Sequence, residues 1–83
     1  MKVEISDHAR DRMSLRGATE DEVRAAISEG EPEPAQRSRI MYRRNFVYNS
    51  EWSGKVYRTK QVAPVVITEG DRLVVVTVYV FYF

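Results

Sequence analysis

Between Asp7 and Arg16 the apolar positions fall at helical spacing, with Ile5, Ala9, Met13 and Leu15 on one side. Ser6 ahead of this stretch is a good N-cap, and Asp7 adds negative charge to the first turn. Gly17 is the expected stop, so the pattern predicts a helix over 7–16. Thr19-Glu20-Asp21-Glu22 has the form of a capping box and opens a second helix, predicted over 20–28. That helix would bury Val23, Ala26 and Ile27 and end at Gly30. Glu31-Pro32-Glu33-Pro34 suits neither a helix nor a central strand and is read as a linker onto a sheet.

The period then changes from helix to strand. Ile40 to Tyr48 is dense in aromatic and β-branched residues, and Asn49 to Gly54 reads as a turn. Lys55 to Lys60 forms a short polar strand, and Val62 to Thr68 an apolar one in which Pro64 marks an edge or a bulge. Glu69-Gly70-Asp71 turns the chain into a last strand, Leu73 to Tyr82. Strict alternation puts Val74, Val76, Val78 and Val80 on one of its faces, and Leu73, Val75, Thr77, Tyr79 and Phe81 on the other. Both faces are apolar, which predicts a central strand or one covered by a partner. Two helices followed by four strands with short connections predict an α+β fold: two N-terminal helices packed on a four-stranded antiparallel sheet, every strand after residue 38.

At 83 residues the chain builds one domain around one core. With no cysteine it has neither disulfides nor a thiolate nucleophile. Met1-Lys2-Val3-Glu4 lacks the apolar stretch of a signal peptide, so the expected compartment is the cytoplasm. The uncharged run Leu73 to Phe83 is too short for a membrane-spanning helix, and no membrane partner is expected. It is long for so small a domain to cover alone, which predicts a homodimer.

Net charge is only +1, but it is unevenly spread. Residues 1–36 carry five Lys/Arg against nine Asp/Glu, residues 37–60 carry seven against Glu51 alone, and residues 61–83 sum to −1. A basic middle segment is suited either to phosphates or to strand edges that resist aggregation.

The chemistry concentrates in the first helix. Projected at about 100° per residue, the face that holds Ile5, Ala9, Met13 and Leu15 also holds His8, Arg12 and Arg16. These three stand at i, i+4 spacing and form a ladder. A guanidinium aimed at a core costs several kcal/mol unless it is paired, hydrated or facing a cleft. Three readings stay open. The arginines reach Glu22 or Glu29 while His8 caps a carbonyl; or Arg12 and Arg16 hold a phosphate while His8 exchanges a proton. A metal site is the third, though one His and no Cys supply few donors, and neither a metal nor another cofactor is predicted. Thr77 and Tyr79 share one strand face and either bond locally or, should that face meet His8 and Arg12, donate to the same phosphate. Tyr42, Tyr48, Trp52 and Tyr57 are interleaved with Arg43, Arg44 and Arg58, as in surfaces that stack bases and hold nucleic-acid phosphates, or in a sheet core with charged edges.

The string Ile5-Ser6-Asp7-His8-Ala9-Arg10-Asp11-Arg12-Met13-Ser14-Leu15-Arg16-Gly17 resembles the opening of the bacterial family called domain of unknown function 4258. Thr19 to Gly30 is similar to that family's second helix, and Val56-Tyr57-Arg58 and Val75-Val76-Thr77-Val78-Tyr79 to its later strands. The resemblance covers nearly the whole chain and is loosest over 31–55. It implies kinship with toxin-like domains of the RelE, ParE and colicin-nuclease type, which cut RNA without metal or bind a cellular target. It carries His8, Arg12 and Thr77 onto characteristic polar positions and implies RNA and a cognate antitoxin or immunity protein as partners. A metal-independent ribonuclease, or an RNA-binding module descended from one, is thus the expected function. A non-catalytic interaction domain that dimerises through its apolar strands is the alternative.

Overall fold

The computed structural model describes residues 2–83. Its elements run β1 (Lys2–Ile5), α1 (Asp7–Arg16), α2 (Glu20–Glu29), β2 (Glu31–Ala35), β3 (Arg39–Trp52), β4 (Lys55–Glu69) and β5 (Arg72–Tyr82). Both helices start on their side-chain caps. Ser6 Oγ accepts the Ala9 N–H at 3.1 Å, and Thr19 and Glu22 form the reciprocal capping box. Gly17 ends α1 in the left-handed region at φ 82, returning its N–H to the Met13 carbonyl.

The sheet corrects the four-stranded antiparallel expectation: it has five strands in the order β1-β5-β4-β3-β2, and it is mixed, because β1 lies parallel to β5. Two strands precede residue 38. β1 is only four residues long, too short to show an alternation by sequence. β2 is the segment expected as a linker. Proline is excluded from central strands but not from edges, and Pro32 and Pro34 alternate with Glu31, Glu33 and Ala35, which keep N–H groups for β3. The polar and apolar strands expected at 55–60 and 62–68 are one strand, β4. Pro64 lies inside it, where the β3 ladder passes from Met41↔Val65 to Arg44↔Val62 and skips the position that would need the missing N–H. The turn after β3 is also tighter than expected. Asn49, at φ 46, sits in a bulge between Val47 and Ser50, and only Ser53-Gly54 turns the chain.

A second bulge decides which residues meet the helices. Val65 pairs with Thr77 but Val66 with Val75, so Val76 is an extra residue in β5 and the alternation slips there. Leu73 and Val75 before the bulge therefore share a face with Val78, Val80 and Tyr82 after it. That face packs with Ala9, Met13, Val23, Val62 and Val66 to form the core under the helices. Thr77, Tyr79 and Phe81 point to the opposite face, which among the described residues no element covers.

Candidate functional site

α1 runs along β5. The Ser6 N–H bonds the Val75 carbonyl at 3.1 Å at one end, and the Tyr82 hydroxyl donates to the Arg16 carbonyl at 2.7 Å at the other. Ala9 and Met13 are buried against the sheet. Ladder and core do not share one face as expected: His8 is exposed, Leu15 is 65% exposed, and Arg12 and Arg16 are half-buried. The helix is held by Ala9 and Met13 against the sheet and by these bonds at its two ends, while Asp7, His8, Arg10, Asp11, Ser14 and Leu15 stay exposed.

Arg16 spans the edge of β5. Its Nη1 donates to the Val78 carbonyl at 2.8 Å, and its guanidinium carbon lies 5.0 Å from the centre of the Tyr79 ring on the far face. Arg16 and Tyr79 are thus brought together, with Thr77 one alternation away on the same face. Thr77 and Tyr79 face away from α1 because of the Val76 bulge, so the condition that their face meets His8 and Arg12 is not met. Arg12 differs from Arg16. Its Nε is buried without a hydrogen-bond partner, and among the described residues no carboxylate pairs with it. Glu22 and Glu29, the partners of the structural alternative, bind Lys60 and Arg44 instead.

The arginines expected to share a nucleic-acid surface are dispersed. Arg43 and Arg44 are neighbours in a strand and so project to opposite faces. Arg43 holds Glu33 and donates to Gln61 at 2.9 Å, with its guanidinium 5.5 Å from the Phe81 ring centre on the open face. Arg44 turns to Glu29 at 3.3 Å and lies over Phe46. Arg58 is exposed. The interleaved aromatics are also engaged: Tyr42 packs on the core, while Trp52, Tyr48 and Tyr57 gather on Tyr82 at ring separations of 5.0, 5.3 and 5.7 Å.

That aromatic cluster encloses a charged pair that sequence reasoning missed. Lys60 is only 6% exposed; its Nζ meets Glu22 Oε1 at 2.8 Å, donates to the Gly17 carbonyl and stands 5.6 Å from the Tyr48 ring centre. The same Glu22 oxygen accepts the Thr19 N–H at 2.9 Å, so one carboxylate caps α2 and pins the interhelical turn to the sheet. Burial, helped by Tyr48 and the Glu22 charge, pushes the Tyr82 hydroxyl up to about 12. The only signal in the sequence was a lysine on the inward alternation of an apolar strand.

On the open face a groove of about 540 Å³ runs between β2 and β5, lined by Arg39, Met41, Arg43, Val65, Tyr79 and Phe81 among others. Tyr79 and Phe81 stack at 6.5 Å, each next to an arginine. Among the described residues no group of His, Asp and Glu is placed to hold a metal ion, and no helix is long and apolar enough to cross a membrane. No family model, no curated protein and no solved structure matches the chain.

Proposed function

We propose that the protein binds RNA and cuts it as a toxin-like, metal-independent ribonuclease, with the His8–Arg12–Arg16 row as its phosphate site. The observation that carries this proposal is Arg12: a half-buried guanidinium with an unmet buried donor, between an exposed imidazole and a second guanidinium. A buried donor without a partner costs stability, and a phosphate oxygen would satisfy it. In cleavage, a base takes the proton of the ribose 2′-hydroxyl and the oxygen attacks the adjacent phosphorus. An acid then protonates the departing 5′-oxygen. His8 fills one of these roles and Arg12 neutralises the pentavalent phosphate. Tyr79, whose ring lies beside the Arg16 guanidinium across the β5 edge, is the candidate for the other role.

The test is cleavage and binding of single-stranded RNA, followed by gel and anisotropy. His8→Ala should lower cleavage by about 10²–10⁴-fold, and Arg12→Met should weaken binding, while cleavage persists in chelator. The melting temperature should not fall in either variant, since His8 is exposed and removing an orphaned donor relieves a cost. Wild-type protein that neither binds nor cuts RNA would overturn the proposal.

The open sheet face favours a second reading, a non-catalytic domain that dimerises there. Phe83 exchanges backbone bonds with Thr59, which pairs with Val47, and Phe83 and Val47 are 58% and 87% exposed. Phe81 and Tyr79 continue this apolar surface along β5.

A further inference from the structure

We propose that the free edge of β5 at Val78–Tyr82 docks an extended segment of a partner protein, which joins the sheet as one more strand. The backbone shows what the edge lacks. Thr59 and Phe83 exchange both of their backbone bonds, at 2.7 and 3.0 Å, and the register holds without a slip from Lys60↔Tyr82 to Val65↔Thr77. In an antiparallel pair bonded and non-bonded positions alternate, so Val78, Val80 and Tyr82 turn their N–H and C=O away from β4. β1 covers β5 only as far as Val75, and Arg16 takes the Val78 carbonyl. Among the described residues the Val78 N–H and both backbone groups of Val80 and Tyr82 therefore have no protein partner.

The other edges are defended. β2 carries two prolines and two glutamates in five residues, and β1 is four residues long with Lys2 and Glu4. The open part of β5 has no charged residue and no proline of its own and, among the described residues, no covering strand; Arg16 crosses it at Val78 and Tyr79 and leaves Val80 and Tyr82 free. It is flanked by apolar side chains on both sides of the sheet plane. Arg10 on α1 pairs with Glu20 of α2, and helical phase puts Leu15 on the opposite flank, towards this edge. Phe81 and Phe83 border it on the open face.

These features select an extended segment with alternating apolar side chains and no charge. A second copy pairing antiparallel through its own β5 would bring a second α1 beside the first. Strands stand about 4.8 Å apart, whereas packed helices need about 8–10 Å. A segment with no helix of its own fits. The proposal does not depend on RNA binding, since it rests on the backbone groups of Val78, Val80 and Tyr82; of the phosphate row only Arg16 touches this edge, at the Val78 carbonyl.

The experiment uses a blocked hexapeptide of alternating threonine and valine, and an analogue N-methylated at alternate residues, with amide hydrogen exchange read by NMR. The peptide should slow exchange at Val80 and Tyr82 at least about tenfold, the scale of a backbone bond newly protected from solvent. The N-methylated analogue should have no effect. Val80→Pro removes an outward N–H without touching the β4 ladder and should abolish the protection; should that variant not fold, the analogue still decides. Equal protection by both peptides would overturn the proposal. So would edge amides already protected in the free protein in a concentration-dependent way, since a second copy would then hold the edge.

Discussion

Each face of the sheet holds a basic side chain paired with a glutamate, yet the two hold it differently. Under the helices Lys60 is enclosed by Tyr48, bonded to the Gly17 carbonyl and paired with Glu22. On the open face Arg43 also has a carboxylate, Glu33, but that pair stands 38% and 45% exposed in water. Burial turns an ion pair into a structural requirement, because removing one partner strands the other in a poor solvent. Exposure makes the same pair nearly free to lose. What covers a charge, more than what it pairs with, sets its worth to the fold.

The sharpest way to break this comparison is to delete one cation from each face. Lys60→Met leaves the Glu22 carboxylate without its cation, though still bonded to the Thr19 N–H, and the Gly17 carbonyl without its lysine donor, and should lower stability by about 3 kcal/mol. Arg43→Met should cost less than about 1 kcal/mol. Urea midpoints of the two variants, measured together, check the pair. Equal losses would mean that burial does not separate the faces.

A smaller effect follows from pH. The folded-state pKa of Tyr82 is raised to about 12, chiefly by burial, from an unfolded value near 10. The neutral phenol is the form that the fold favours. Its contribution is therefore fully present below the unfolded pKa and is lost as pH climbs through the interval up to about 12. Wild-type stability should fall across that alkaline window, and Tyr82→Phe should flatten the fall while losing the 2.7 Å bond to the Arg16 carbonyl, worth about 1 kcal/mol. Thermal melts at stepped alkaline pH, with phenolate absorbance, check both. A variant whose alkaline slope matches wild type would show that Tyr82 is not the titrating group.

The helices were legible because their ends are written in local chemistry. Ser6, the Thr19–Glu22 box and Gly17 act within four residues of themselves. The sheet was less so. β1 and β2 depend on partners far along the chain, and nothing in Lys2–Ile5 announces Arg72–Val75. One condition of the candidate site turned on a single residue: Val76 sits among other valines, so no pattern marks it as a bulge, and the slip puts Thr77 and Tyr79 on the face opposite the helices. The His8–Arg12–Arg16 row was legible as an anomaly, a polar ladder among apolar positions. Its resolution was not, because the exposure of Leu15 depends on where α1 lies over β5. The pairing of Lys60 with Glu22 was missed: Glu22 read as a helix cap or an arginine's partner, and Lys60 as the end of a short polar strand.

The smallest change in fold stability should come from the open face. Phe81→Ser removes a ring that is 44% exposed and stacks only on Tyr79 and Arg43. Phe83→Ser removes one that is 58% exposed. Each should shift the unfolding free energy of the isolated chain by no more than about 1 kcal/mol, within the range of surface substitutions that lose one partial contact. Their effect on association should be larger than their effect on folding. If the apolar row Val47, Phe83, Phe81 and Tyr79 is the dimer surface, wild-type protein sediments as a dimer at tens of micromolar and Phe81→Ser moves it towards monomer at unchanged melting temperature. A ring that holds a partner on an otherwise finished face can be taken away without disturbing that face, whereas a core ring cannot. Sedimentation equilibrium beside a thermal melt therefore separates the two faces in one variant. A wild-type chain that stays monomeric throughout that range would leave the open face to the solvent and remove the dimer reading.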